Sequence, residues 1–418
     1  MNAYRAQEPT ASSHVLNFLA VVLPLLNLWN VALEKGLVCK NPKGLAKVAN
    51  AATIPAAVTA VLFALFCMSN LMGMLLRLWL KQRYGSSAVD RVMHNFIRDS
   101  GLFSTLMAVL SLQNIIFILQ KQPGIVWRAL NLMVKRRLIY YGQISTAQRM
   151  EVFFPPNDSS KEPVSGLVIF VHGGAWGSGS PAMYRLVALP FLKINWAVAV
   201  LGYRVYPEGD VSTQIADLES AAVEMSERYP NLCRGKVCLV GHSSGAHICM
   251  LALVERARRH LELSRVDRSE TPPKSPLGIV DYFCGVSGPY NISHHFDFEA
   301  GRKVEQLSPL KPACGDSREM FLRYSPADQL KDILALCQSE NERDLLGQLM
   351  PRMTLVHGLN DETVPFTSTK EAAQAMKSTG VVRCEEVYIE DTGHEEAIMA
   401  IMLGGQAQDI LSGIVEQL

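Results

Sequence analysis

A mainly parallel α/β sheet with helices on both faces is the fold class this 418-residue sequence predicts, and three observations predict it. From Gln148 onward, short apolar runs alternate with helix-length stretches, the pattern of strands joined by helical crossovers. Two of those runs, Leu167–Val171 and Val237–Val240, feed into glycine-containing loops, His172-Gly173-Gly174 and Gly241-His242-Ser243-Ser244-Gly245. Ahead of the alternation lie three long stretches without a charged residue, so a region of a different kind precedes the sheet.

That region, residues 1–130, is expected to be a helical membrane module. Its uncharged runs are Pro9–Leu33, Val48–Leu76 and Gly101–Gln120, each long enough for a bilayer span of about 20 residues. Two to three transmembrane helices are expected, at about 14–33, 50–76 and 101–120. Hydrophobic residues make up 49% of the chain, and these runs account for the excess. A cleaved signal peptide is not expected. The first run exceeds an apolar core of about 7–15 residues, has no basic flank before it, and is followed by a second run. Lysine and arginine follow each run, from Lys35 to Lys47, Arg77 to Arg98 and Lys121 to Arg137. With three spans, that distribution favours a cytosolic C-terminal domain.

The sheet domain is expected over 145–418. Its first strand is Gln148–Phe154, stopped by Pro155-Pro156. Leu167–Val171, Ala197–Leu201, Val237–Val240, Ile279–Val286, Met353–Val356 and Val381–Ile389 follow. The charged stretch Glu255–Ser275 reads as a helix extension and a surface loop. Residues 288–349 are too many for a simple connection, so they are expected to carry short helices as a cap over the active site. His294-His295 lies there; adjacent histidines without nearby acids do not make a metal site. Phe296 and Phe298 fit an apolar pocket or the cap's own small core. Cys238, Cys249 and Cys284 fall in apolar elements and read as small core residues. A net charge of +1 gives no reason to invoke nucleic acid, and no repeat is present.

The chemistry is carried by residues at strand ends. Gly241-His242-Ser243-Ser244-Gly245 is a G-x-S-x-G between an apolar run and a helical one, the nucleophile elbow of α/β-hydrolases. The His172-Gly173-Gly174-Ala175 loop supplies candidate oxyanion donors, the backbone N–H groups of Gly173, Gly174 and Ala175, joined by that of Ser244. His242 and Ser244 flank the nucleophile and complete the expected substrate-binding set. Downstream, Asp361 and His394 each follow an apolar run, so the order Ser243, Asp361, His394 is the α/β-hydrolase order. His394 is expected to take the proton from Ser243, with Asp361 fixing its tautomer. Glu362 and Asp391 are rivals for the acid. His357 is the rival for the base and reads better as a packing or hydrogen-bonding residue. Such chemistry requires neither cofactor nor metal.

With these residues in view, the chain resembles the isoprenylcysteine α-carbonyl methylesterases, a membrane-bound branch of the α/β-hydrolases. The resemblance covers most of 165–418. It is carried by Gly173-Gly174-Ala175-Trp176, Tyr203-Arg204-Val205-Tyr206-Pro207-Glu208-Gly209 with Asp217, Gly245-Ala246-His247, Ser287-Gly288-Pro289-Tyr290-Asn291 and Tyr324-Ser325-Pro326. It implies hydrolysis of a carboxyl methyl ester on a prenylated cysteine, facing the cytosol at the endoplasmic reticulum or Golgi. A lipophilic ester and membrane lipid are then the partners. The family usually has Gln-Ser-Ala at the elbow, where this chain has His242-Ser243-Ser244. A broad carboxylesterase, an arylformamidase-like hydrolase and a non-enzymatic ligand receptor are the alternatives. Sequons at Asn157 and Asn291 are usable only in a lumenal domain.

Overall fold

A strand whose every side chain is apolar has no solvent face and belongs inside a sheet covered on both sides. The computed structural model describes residues 124–418 apart from 157–163, 267–275, 303, 306–307 and 381. The apolar runs among them join one eight-stranded sheet. Its strands are β1 (Arg137–Tyr140), β2 (Arg149–Phe153), β3 (Gly166–Val171), β4 (Trp196–Leu201), β5 (Lys236–His242), β6 (Tyr282–Val286), β7 (Arg352–Gly358) and β8 (Cys384–Ile389). The spatial order is β1-β2-β4-β3-β5-β6-β7-β8. β2 is antiparallel to β1 and β4, and every pairing from β4 to β8 is parallel.

Helices complete the two outer layers. α1 (Ile125–Lys135) precedes β1. α2 (Pro181–Tyr184), a 3-10 turn (Arg185–Val187) and α3 (Ala188–Lys193) join β3 to β4; α4 (Val211–Arg228) and α5 (Pro230–Cys233) join β4 to β5. α6 (Ser244–Val266) follows the elbow. Between β6 and β7 come α7 (Ile292–Gly301), α8 (Leu310–Ala313), α9 (Arg318–Arg323), α10 (Pro326–Leu336) and α11 (Glu340–Leu349). α12 (Thr367–Ser378), α13 (His394–Leu403) and α14 (Gln406–Glu416) finish the fold. Alternate side chains of each inner strand serve opposite cores. Leu167, Ile169, Val171 and Leu239 pack with α4, α6 and α10–α12. Val168, Phe170, Cys238 and Val240 pack with α3, α13 and α14.

Several expectations change. The sheet does not start at 145. Edge strand β1 pairs Arg137–Tyr140 with Arg149–Val152, and α1 is anchored by buried Ile125 and Leu132. β1 escapes notice in the sequence because an edge strand has one buried residue, Ile139, among exposed ones. The expected strand Ile279–Val286 begins only at Tyr282. Pro276–Ile279 is a 3-10 turn, and the Asp281 carboxylate accepts from Val237 N at 2.9 Å, closing the strand's start. The expected cap is divided: α10 and α11 pack on α6 as ordinary sheet-covering helices, and α7–α9 form the remainder. Phe296 belongs to that remainder's own core, its ring 5.1 Å from Phe321. α6 extends the elbow helix as far as Val266. The expected spans at 14–33, 50–76 and 101–120, and Asn157, lie outside the described residues. Among the described residues no single helix is long and apolar enough to cross a membrane.

Candidate active site

The elbow is set by two steric requirements. A Cβ at Gly241 would lie 2.5 Å from Ala246 Cα, and one at Gly245 would collide with the Val171 and His172 carbonyls. Only glycine lets strand β5, the turn and α6 pass this closely. Ser243 between them has φ 54°, in the left-handed region where a non-glycine residue is strained. Its N–H donates to Val286 O at 2.8 Å, which binds the turn to the end of β6.

The three strand-end residues meet. His394, the first residue of α13, has Nε2 2.9 Å from Ser243 Oγ and Nδ1 2.8 Å from Asp361 Oδ2. All three are buried. The other Asp361 oxygen accepts from Thr363 N at 2.9 Å and Val364 N at 2.8 Å. His357 lies beneath the acid. Its Nε2 is 2.9 Å from Val364 O and 3.2 Å from Asp361 Oδ2, and its Nδ1 is 2.7 Å from Thr369 Oγ1. Two acceptors at Nε2 place the proton there. Burial opposes charge on Asp361, yet hydrogen bonds from His357 and His394 hold its carboxyl well below the usual carboxylate range. His357 is therefore a hydrogen-bonding support, and Glu362 and Asp391 make no contact of this kind with His394.

The glycine loop after β3 packs against the same turn. A Cβ on Gly173 would lie 2.8 Å from Ser243 Cβ. Gly174 has φ 134°, and the following Ala175 and Trp176 have φ 49° and 60°. The loop is held through its carbonyls: Gly174 O accepts from Gly177 N, Ser178 N and Ser178 Oγ at 2.9–3.1 Å. Amides Gly173–Ala175, beside the elbow, thus face no competing use among these bonds. Ser244 opens α6, a position where backbone N–H groups lack intrahelical partners.

Three further histidines, all of them in the motifs read from the sequence, line this framework. The His172 ring is stacked between Tyr203 at 4.4 Å and Tyr184 at 5.4 Å, and its Nδ1–H donates to Gly173 O at 2.9 Å. His247 Nδ1 accepts from Trp176 Nε1 at 3.1 Å, while Nε2–H donates to Tyr324 O at 2.6 Å. That pair of bonds joins the glycine loop, α6 and the end of α9. His242 lies against His394, rings 5.1 Å apart, with both nitrogens buried and unpartnered among the described residues. Burial, then the neighbouring His394, pushes its pKa down to about 3; burial pushes His172 and His247 down to about 4. Further out, Asp217 accepts from Arg204 N, Nε and Nη2 and from Gln148 Nε2 at 2.6–3.2 Å, fixing the Tyr203–Gly209 turn.

His294 is 2.8 Å from Glu371 and His295 is 3.4 Å from Glu299, so acids do stand near both histidines. No group of three or more ligand-type side chains is assembled among the described residues. Asn291 is not a free sequon. Its side chain caps α7, accepting from His294 N at 3.0 Å, and donates to Asp328 at 3.3 Å.

A serine on a strand-to-helix elbow, with acid and base delivered by later strand ends of a mainly parallel sheet, defines an α/β-hydrolase. Within that class, the model of the BD-FAE family matches residues 150–376. That is more than half of the 418 residues, and the chain belongs to the BD-FAE family. It is 28% identical over 286 residues to an isoprenylcysteine alpha-carbonyl methylesterase of Arabidopsis thaliana, covering 67% of this chain and 61% of that protein. It is 29% identical over 244 residues to a kynurenine formamidase of Danio rerio, covering 58% and 68%. Thermogutta terrifontis esterase 2, in its paraoxon-phosphorylated structure, aligns at 20% identity and TM-score 0.46, covering 68% and 92%. The chain thus spans about three-fifths of the Arabidopsis methylesterase's length.

Proposed function

We propose that the protein is a serine hydrolase of carboxylic esters, with Ser243 as nucleophile, His394 as general base and Asp361 as its orienting acid. The observation that carries this reading is the hydrogen-bonded pair of contacts His394 makes, to Ser243 Oγ at 2.9 Å and to Asp361 at 2.8 Å. Ser243 Oγ attacks the ester carbonyl carbon as its proton passes to His394 Nε2. The alkoxide that forms is received by the amides of Gly173, Gly174, Ala175 and Ser244. His394 then protonates the leaving alcohol, and water, deprotonated by the same nitrogen, releases the acid from the acyl-enzyme. A lost oxyanion donor typically costs about 3–4 kcal/mol of transition-state stabilisation.

The substrate we infer is a carboxyl methyl ester of a prenylated cysteine. The likeness to the Arabidopsis methylesterase supports this, as do the Tyr203–Gly209 and Ser287–Asn291 stretches. We further infer that the uncharged runs up to Gln120 hold the chain in a membrane of the endoplasmic reticulum or Golgi, the catalytic domain in the cytosol. A lipid-partitioned ester then reaches the site in two dimensions. The likeness to the fish formamidase favours a second reading, hydrolysis of an aryl formamide by the same residues. Labelling of the full-length protein by a fluorophosphonate, lost in Ser243→Ala, tests the chemistry. Comparing kcat/KM on farnesylcysteine methyl ester, p-nitrophenyl acetate and N-formylkynurenine tests the substrate. A preference for the formamide by tenfold or more overturns the methylesterase reading.

A further inference from the structure

Apolar side chains are scattered singly over most of this domain, but one region collects them. On α1, Trp127 is 75% exposed and Val134 80%, with Leu130 between them at i+3, so the three form one stripe. β1 continues it with Leu138 and Tyr140, which point the same way while Ile139 points inward. Ile144, just beyond, is 79% exposed. Soluble monomers seldom expose an apolar surface this concentrated without a use for it. Packing does not explain it, since the buried side of α1, Ile125 and Leu132, already faces the domain.

Within this stretch of chain the charges are all of one sign. Arg128, Lys135 and Arg136 punctuate it, Arg137 turning instead onto the Phe154 ring 4.4 Å away, and no aspartate or glutamate occurs between Gly124 and Gln148. The nearest acid along the chain, Glu151, is buried and spent on Arg185 at 2.7 Å and Arg136 at 3.6 Å. Apolar stripe, cationic rim, and a tryptophan and tyrosine at the border make the composition of a surface lying in a bilayer's interfacial layer. The uncharged run that ends at Gln120 is separated from Ile125 by a few residues. At full extension these reach under about 20 Å, so a span there leaves α1 no room to stand far from the headgroups.

We propose that α1 and β1 form a lipid-facing surface that seats the catalytic domain on an anionic bilayer with its active site alongside. The proposal rests on the membrane attachment inferred above. α1 packs on the Arg185–Val187 turn, and α13, which begins with His394, packs on the same turn. Tyr184, immediately before it, stacks on His172 of the glycine loop. The surface is therefore one turn of chain away from the site, and Met183 on α2 extends it in that direction, 51% exposed. Cationic groups at the rim match phosphate and carboxylate headgroups, which gives preference for anionic lipid and sensitivity to salt.

The test uses full-length protein in phosphatidylcholine vesicles containing phosphatidylserine. Nitroxide labels are placed by Leu130→Cys and Val134→Cys, with Ser220→Cys on the exposed side of α4 as an aqueous reference, all with Cys39 and Cys67 changed to serine. Collision with oxygen, which concentrates in lipid, and with a water-soluble nickel complex is measured by power saturation. Labels at 130 and 134 should favour oxygen over nickel several-fold relative to 220. Labels that meet nickel as readily as at 220, in protein that floats with the vesicles, overturn the proposal and leave attachment standing. Labels screened from both reagents, in vesicles and in detergent alike, mean that protein covers the surface, and this too overturns it. Protein that does not float at all removes both readings. As a functional arm, Leu130→Glu with Val134→Glu should lower turnover of vesicle-borne farnesylcysteine methyl ester several-fold. Turnover of p-nitrophenyl acetate should be unchanged, and an equal loss on both esters counts against a lipid-seating role.

Discussion

Ser243, His394 and Asp361 form one hydrogen-bonded line, so their losses should not multiply. Ser243→Ala and His394→Ala should each abolish ester turnover, and the double variant should be scarcely worse than either. Asp361→Asn should lower kcat by about 10⁴ with the fold intact, whereas Glu362→Gln and Asp391→Asn should be mild; steady-state kinetics on the purified variants decides this. A further prediction concerns His242. With its pKa pushed down to about 3, it is neutral wherever the enzyme is assayed and adds no inflection to the pH–rate profile. His242→Gln should therefore keep the profile's shape between about pH 5 and 9, and an inflection that disappears with the substitution would give His242 a titrating role. That these three side chains meet was legible in the sequence, because each follows an apolar run in a fixed order. The hydrogen-bonding role of His357 was expected as well, but not its partner: His357 belongs to a strand, and nothing local announces that its Nε2 reaches the acid four residues on.

At the scale of elements, the inner strands were legible because they are apolar throughout, and the outer ones less so. β1 is four residues long and has one buried side chain, Ile139, with the others exposed, so its sequence looks like linker until its pairing with β2 is seen. The cap expectation had a similar limit, since α10 and α11 follow the same helical periodicity whether they cover a sheet or a site. What links the elements around the nucleophile is the pair of bonds through His247. Trp176→Phe removes the donor to His247 Nδ1 and leaves a buried acceptor unpaired. It should destabilise the domain by about 1–3 kcal/mol, read as a lower denaturation midpoint. It should also raise KM or lower kcat, because Trp176 closes the loop that begins at Gly173. An unchanged midpoint would mean that the loop is held without this bond.

Three fully buried histidines give the whole molecule an acid limit. His172, His242 and His247 have pKa values of about 4, 3 and 4 in the folded state, against about 6.5 in an unfolded chain. Above about pH 6.5 both states are unprotonated there and the histidines contribute no pH dependence. As pH falls below it, the unfolded state takes up protons that the folded state refuses, so stability is lost down to about pH 3–4. Each contributes a slope of up to roughly 1.4 kcal/mol per pH unit in that window. Urea midpoints measured from pH 7.5 to 4.5 should fall accordingly, and a flat profile would place these rings in contact with water. The seven described cysteines, all buried and unpaired, add no pH dependence in this range, and for Cys238, Cys249 and Cys284 the core position was expected from the apolar runs that hold them.

The distance along the chain between Ser243 and His394 has a consequence in time. Ser243 and His394 are 151 residues apart, and ribosomes add about 5–20 residues per second. A growing chain therefore carries Ser243 for about 8–30 s before His394 has been made. During that interval the serine is an ordinary alcohol, unable to capture esters in the cell around it. A chain stopped short of α13 lacks His394 and its contact with Ser243 Oγ, and it also lacks the α13 and α14 side chains that cover one face of the sheet.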